Sequence, residues 1–204
     1  MTTKAKTGQP PRRGYFGIGV EGISKAMNAG TLFRTAHAFG ASFVFTVAAA
    51  YARNVAEHAD TSKSTGHVPF YHFPDPDHLI LPEDCKLVAV ELLDDAVDLP
   101  SFRHPLQAAY VLGPEKGVLS DALLARCDFT LKIPTSFCVN VGVAGAIVMY
   151  DRLVSLGRFA PRPIAPGGIP EALPEPQHGG RYSRKKKTMA DYAAPPPIVP
   201  GSKS

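Results

Sequence analysis

Four polar side chains punctuate an otherwise apolar stretch near the start of the chain: Asn28, Thr31, Arg34 and Thr35. On a helix, residues three and four apart share a face. The four would form a stripe able to hydrogen-bond a polar ligand and to offer it one positive charge. Gly30 within such a helix costs about 1 kcal/mol against Ala, and it permits close approach by a ligand or another backbone. The solvated face of a surface helix has the same pattern. A second group is Tyr110-Val-Leu-Gly-Pro-Glu-Lys-Gly117. Here a hydrophobic strand runs into a tight loop, Gly113 permits unusual backbone angles or close ligand approach, and Glu115 sets a carboxylate at the strand's exit. A plain strand-to-helix turn is the other reading. The third group runs from Leu131 through Ile133-Pro134, Cys138 and Val139 to Asn140, then into a helix with Gly142, Ala144, Gly145 and Ala146. The start of that helix offers backbone N–H groups to an acceptor; small residues equally suit a packed core helix. None of the three is a GxxxxGK[ST] or GxGxxG phosphate-binding loop.

These groups need elements to hold them. Tyr15–Val20, Phe43–Val47, Leu87–Glu91, Ala109–Leu112 and Phe129–Ile133 read as strands. A helix is expected from Ser24 through Phe39 with Gly40 as its stop. A shorter one is capped by Ser120 and runs through Arg126, and a last one spans Val141–Leu156 with Asn140 as its cap. Strands alternating with helices imply an α/β fold with a parallel sheet covered by helices on both faces. Ligands in such sheets bind at the carboxyl ends of the strands, which points to the loops after Glu91, Leu112 and Ile133.

The chain has 204 residues and a net charge of +4. The charge is uneven. Residues 1–13 carry Lys4, Lys6, Arg12 and Arg13 with no acid, and 161–204 carry seven Lys/Arg against three acids. Three divisions follow: a basic, flexible 1–13, a folded 14–160, and a Pro-rich basic tail 161–204 that is expected to be disordered, since half of the 20 prolines fall there. Basic tails suit a polyanion such as RNA, although they also serve as solubilising termini. Apolar runs are too short to span a bilayer, no signal-peptide pattern is present, and three cysteines without CxxC spacing fit a reducing cytoplasm rather than a disulfide framework or a metal site.

Taken in order, the three groups resemble the three motifs of the SpoU (TrmH) branch of the SPOUT RNA methyltransferases. Asn28, Gly30 and Arg34 fit the first, Leu112-Gly113-Pro114-Glu115 with Gly117 the second, and Ile133-Pro134 followed by Asn140-Val141, Val143-Ala144 and Ala146-Ile147 the third. The likeness covers roughly Tyr15 to Leu156. It implies a C-terminal deep trefoil knot, S-adenosylmethionine bound in it, and a homodimer, and it implies methylation of a ribose 2′-hydroxyl in tRNA, less readily rRNA. It gives catalytic positions to Asn28, Arg34, Glu115 and Asn140, and cofactor contacts to Val90, Leu112, Gly113, Gly117, Ile133, Cys138 and Val139. No metal is needed, because the sulfonium methyl is already activated. Arginine stays protonated, so Arg34 is read as a clamp on phosphate and hydroxyl. RNA would be gripped by Arg34, Arg53, Lys63, Arg184 and Lys185. His37 is a second candidate base, though a packed or interface role suits it better, and His67 falls in a Ser-Thr-Gly-His loop placed near substrate. The family usually has serines where this chain has Cys138 and Gly142. That substitution keeps a second hypothesis open, a catalytically weakened RNA-binding relative. A flavodoxin-like or Rossmann module is disfavoured by the missing glycine pattern.

Overall fold

The structure is a computed structural model that describes residues 14–49, 67–114, 117–157 and 159–173. Seven strands and three helices follow one another as β1 (Tyr15–Glu21), α1 (Ala26–Phe39), β2 (Phe43–Val47), β3 (Phe70–Phe73), β4 (Lys86–Val90), β5 (Val97–Asp98), β6 (Gln107–Leu112), α2 (Asp121–Leu124), β7 (Phe129–Lys132) and α3 (Val141–Leu156). The strands form one sheet in the order β3-β2-β1-β6-β4-β7-β5, and the pairings are parallel. The strands run the same way, but the order in which the chain adds them switches sides between β1 and β6, so the central carboxyl ends form the crevice where such sheets take ligands.

Side chains alternate across the sheet into two cores. Ile18, Val20, Val44, Val88, Val90, Tyr110 and Leu131 face α1 and α3, meeting Leu32, Phe33, Val148 and Met149. Phe43, Phe45, Leu87, Ala89 and Val111 face the other way, against Leu79, Leu119 and Leu123 of the α2 side. The parallel sheet with helices on both faces is therefore present. Among the described residues, no helix is long and apolar enough to cross a membrane.

The element boundaries moved for identifiable reasons. Helix α1 starts after Lys25 rather than at Ser24, because the chain stays extended to carry fully buried Ile23 into the core. It stops at Gly40, whose left-handed backbone (φ 71°) directs its N–H to Ala36 O and His37 O. Helix α2 is shorter than read, and Ser120 caps it by accepting from Leu123 N. Arg126 lies beyond its end and donates to the carbonyls of Pro76 and Leu79. Strands β3 and β5 were not foreseen.

The far end of α3 is pinned to the start of the sheet. Arg152, 5% exposed, donates to the carbonyl oxygens of Tyr15, Pro105 and Leu106 and to the Tyr110 hydroxyl. Tyr110 and Asp151 flank the His104 ring at 2.6 and 2.9 Å. Burial pushes the Tyr110 hydroxyl up to about 12, and it lowers His104, opposed by the hydrogen bond to Asp151. A neutral His104 that donates from Nε2 and accepts at Nδ1 satisfies all these groups. The guanidinium is buried with both terminal nitrogens hydrogen-bonded, which is the condition for tolerating such a charge.

The chain divides into two units, 1–158 and 159–204. The described part of the second, 159–173, has no helix or strand.

Candidate functional site

The carboxyl ends of β1, β4, β6 and β7 surround one cleft of about 290 Å³. That is near the lower end of the roughly 300–1,000 Å³ usual for ligand pockets. Its walls come from four connections: Lys25 and Asn28 after β1, Val90–Leu92 after β4, Leu112–Pro114 and Gly117 after β6, and Ile133, Thr135 and Cys138–Val141 after β7, with Ala144 of α3 beneath. Val90, Leu112, Gly113, Gly117, Ile133, Cys138 and Val139, the seven residues expected to hold a cofactor, all line it.

The lining is an apolar slot edged with polar groups. Val90, Leu112, Ile133, Val139, Val141 and Ala144 supply flat hydrocarbon surface. A Cβ at Gly113 would come 2.9 Å from Glu91 Oε2 and 3.4 Å from Leu119 N, crowding the bond between them. Glu91 braces two loops, accepting from Leu92 N at Oε1 and from Leu119 N at Oε2, each at 3.0 Å. Behind it, buried Glu21 accepts from the backbone N and hydroxyl of Ser120. These carboxylates fix the loop after β6 to the ends of β4 and β1.

Asn140 does two jobs. Its Oδ1 accepts from Gly142 N at 2.9 Å and caps α3, and its Nδ2 donates to Asn28 Oδ1 at 3.1 Å. The asparagines of the first and third motifs, 112 positions apart, thus meet at the cleft rim. Arg34 is exposed and not among the lining residues; it stands roughly 9 Å further along α1 by helical rise. Thr31 and Thr35 do not project a polar stripe toward a ligand. Their hydroxyls donate back to Met27 O and Thr31 O within the helix. The methyl of Thr31 instead explains Gly142, where a Cβ would lie 2.9 Å from Thr31 Cγ2. The serine usual at that position in relatives would press on this methyl. Cys138 is exposed at the cleft wall with a free thiol.

Glu115, Arg53, Lys63, Arg184 and Lys185 lie outside the described residues. His37 and His67 come together away from the cleft lining, their rings stacked at 5.0 Å. Lys25, Glu91 and Glu21 were missed at the level of sequence. An acid at the end of a buried strand, as Glu21 is, or directly after one, as Glu91 is, was the available signal.

Known proteins share this fold. The AviRb SpoU methyltransferase from Streptomyces viridochromogenes, in complex with AdoMet, superposes with TM-score 0.63 at 23% identity, over 73% of this chain and 61% of that one. The A. aeolicus TrmH/SpoU tRNA modifying enzyme gives TM-score 0.61 at 18% identity, over 71% and 76%. A structure described as giving insights into the 2-OH methylation of C/U34 on tRNA gives TM-score 0.61 at 22% identity, over 71% of this chain and 97% of that one. The chain spans about three fifths of the length of AviRb. No curated protein matches it in sequence. The profile of the SpoU rRNA Methylase family matches residues 16–150, well over half of the chain, in the stretch that carries the sheet and the cleft, and the chain belongs to that family.

Proposed function

We propose that the chain is an RNA methyltransferase that binds S-adenosylmethionine in the cleft and methylates a ribose 2′-hydroxyl. The observation that carries this is the convergence of all seven expected cofactor residues on one cleft at the strand ends. The residues fit the group. The aliphatic walls, Val90, Leu112, Ile133, Val139 and Val141, suit an adenosyl moiety. When bound, the cofactor supplies an activated methyl group. The protein's own task is alignment, which is worth several kcal/mol, and management of one proton. The bonded Asn28 and Asn140 fix the rim against which the sugar is positioned. Arg34 holds the adjoining phosphate and the hydroxyl from outside the cleft. The knot belongs to the same reading: residues of 90–92, of 112–114 with Gly117, and of 133–141 crowd around one cleft, and the chain leaving β7 returns to pack α3 on α1.

A homodimer is supported by Val143, Tyr150 and Val154, which are 49%, 55% and 40% exposed and share one face of α3 by their spacing. tRNA is preferred over rRNA as substrate, and a reducing cytoplasm suits the exposed Cys138 thiol. The basic tail 161–204 adds attraction to RNA. Removing it should flatten the salt dependence of RNA binding, and an unchanged slope would exclude the tail.

Calorimetric titration with S-adenosylmethionine tests the reading. Saturable binding of one cofactor per chain is expected. No binding would support instead a relative that keeps the fold and has lost transfer, the alternative motivated by Cys138 and Gly142.

A further inference from the structure

We propose that His37 and His67 form a stacking platform for an unpaired base of the RNA that flanks the methylated nucleotide. The proposal rests on the RNA methyltransferase reading above. His37 lies on α1 and His67 precedes β3, and both are exposed, yet their rings stack with centroids 5.0 Å apart and planes only 16° from parallel. Face-to-face rings do not aim their nitrogens at one shared point, so the pair is not built as a chelate. What it offers is flat π surface at the protein's exterior, and RNA bases outside a helix stack on such surfaces, histidine included.

The platform is held in place from below. One turn before His37, buried Phe33 meets Phe70 of β3 edge-on at 5.6 Å. Two aromatic pairs therefore bridge α1 and the chain entering β3, one inside the core and one at the surface. The inner pair, buried Phe33 on half-buried Phe70, fixes the spacing of the exposed one, so little ordering cost remains to be met on binding. Arg34, three residues before His37, neighbours it on α1. By helical rise, His37 lies about 13 Å further along α1 than Asn28, and at about 3.6 residues per turn it leaves the opposite side of the helix, with Arg34 intermediate in both height and rotation. An RNA strand running from the rim obliquely across the exposed side of α1 would meet the guanidinium and then the imidazoles. That spacing assigns the platform to a flanking base rather than to the target nucleotide.

The test uses a short single-stranded RNA carrying one 2-aminopurine, whose fluorescence is quenched on stacking, titrated with the full chain. Wild type and His37→Phe, which keeps a flat ring, should quench it. His37→Ala and His67→Ala should lose the quench and bind at least about five-fold more weakly, the lower end for losing one stacked base. Their melting temperatures and S-adenosylmethionine affinities should stay unchanged. The proposal is overturned if His37→Ala quenches like wild type, or if His37→Phe fails as fully as His37→Ala, which would mean that ring edges rather than faces matter. If wild type binds cofactor and methylates RNA while the histidine variants behave normally, the platform fails and the methyltransferase reading stands. A wild-type chain that binds no cofactor removes that reading, and the platform with it.

Discussion

Replacing Arg34 with Ala is expected to reduce methyl transfer by roughly 10²–10³-fold, the loss seen when one charge-stabilising donor is removed from a transition state, while S-adenosylmethionine binds as tightly as before. Both halves follow from where the residue stands. It is exposed and outside the cleft lining, so no cofactor contact is lost. An exposed substitution away from caps and buried networks also changes stability by no more than about 0.5 kcal/mol. What the variant removes is the forked donor proposed above to hold phosphate and hydroxyl. Arg34→Lys should fall between the two, because it keeps the charge but not the fork. Calorimetry for binding and single-turnover kinetics for transfer separate the effects. Wild-type turnover in Arg34→Ala would remove Arg34 from the mechanism, and a matching loss of cofactor affinity would move it into the cleft.

Gly145→Val is expected to damage the fold substantially. A Cβ at this position would lie 2.2 Å from Leu32 Cδ1 and 3.5 Å from Ile18 Cδ1. Leu32 and Ile18 are both fully buried, so neither has solvent to move into. Overpacking typically costs about 1–3 kcal/mol and occasionally more. A branched side chain at a helix contact this close belongs at the top of that range. At about 3 kcal/mol, the melting temperature of a chain of this size would drop by roughly 6–12 °C. Leu32→Ala should give back part of the loss when combined with Gly145→Val, since the two sites share the same space. A melting temperature within a degree or two of wild type would show that α1 and α3 are not held this close. The consequence reaches function, because this contact sets the distance between the helices that carry Asn28 and Asn140.

The elements that bury a continuous apolar face were legible from sequence. Strands β1, β2, β4, β6 and β7 are apolar runs flanked by turn residues, and α1 and α3 carry clear stops or caps. Strand β3 was not legible because Tyr71 and His72 in its centre are exposed, which leaves an edge strand without the apolar pattern that marks its neighbours. Strand β5 has two residues, too few to show a period. Of the site, the loops and their glycines could be found because α/β sheets bind ligands at strand ends, and the family likeness supplied the cofactor residues. Long-range partnerships could not be found. Glu21 meets Ser120 99 positions away, and nothing local to either residue predicts it. The reason for Gly142 lies in the methyl of Thr31 on another helix. Thr31 itself was misread, because a threonine within a helix can satisfy its hydroxyl on its own backbone and turn only its methyl to a neighbour.

The most direct test of the central claim is to incubate the protein with RNA and S-adenosylmethionine labelled in its methyl group, digest the RNA to nucleosides, and identify the labelled product. Label in 2′-O-methylnucleosides, absent with Arg34→Ala, is the predicted result. Label on a base, or no label in RNA despite bound cofactor, would contradict it.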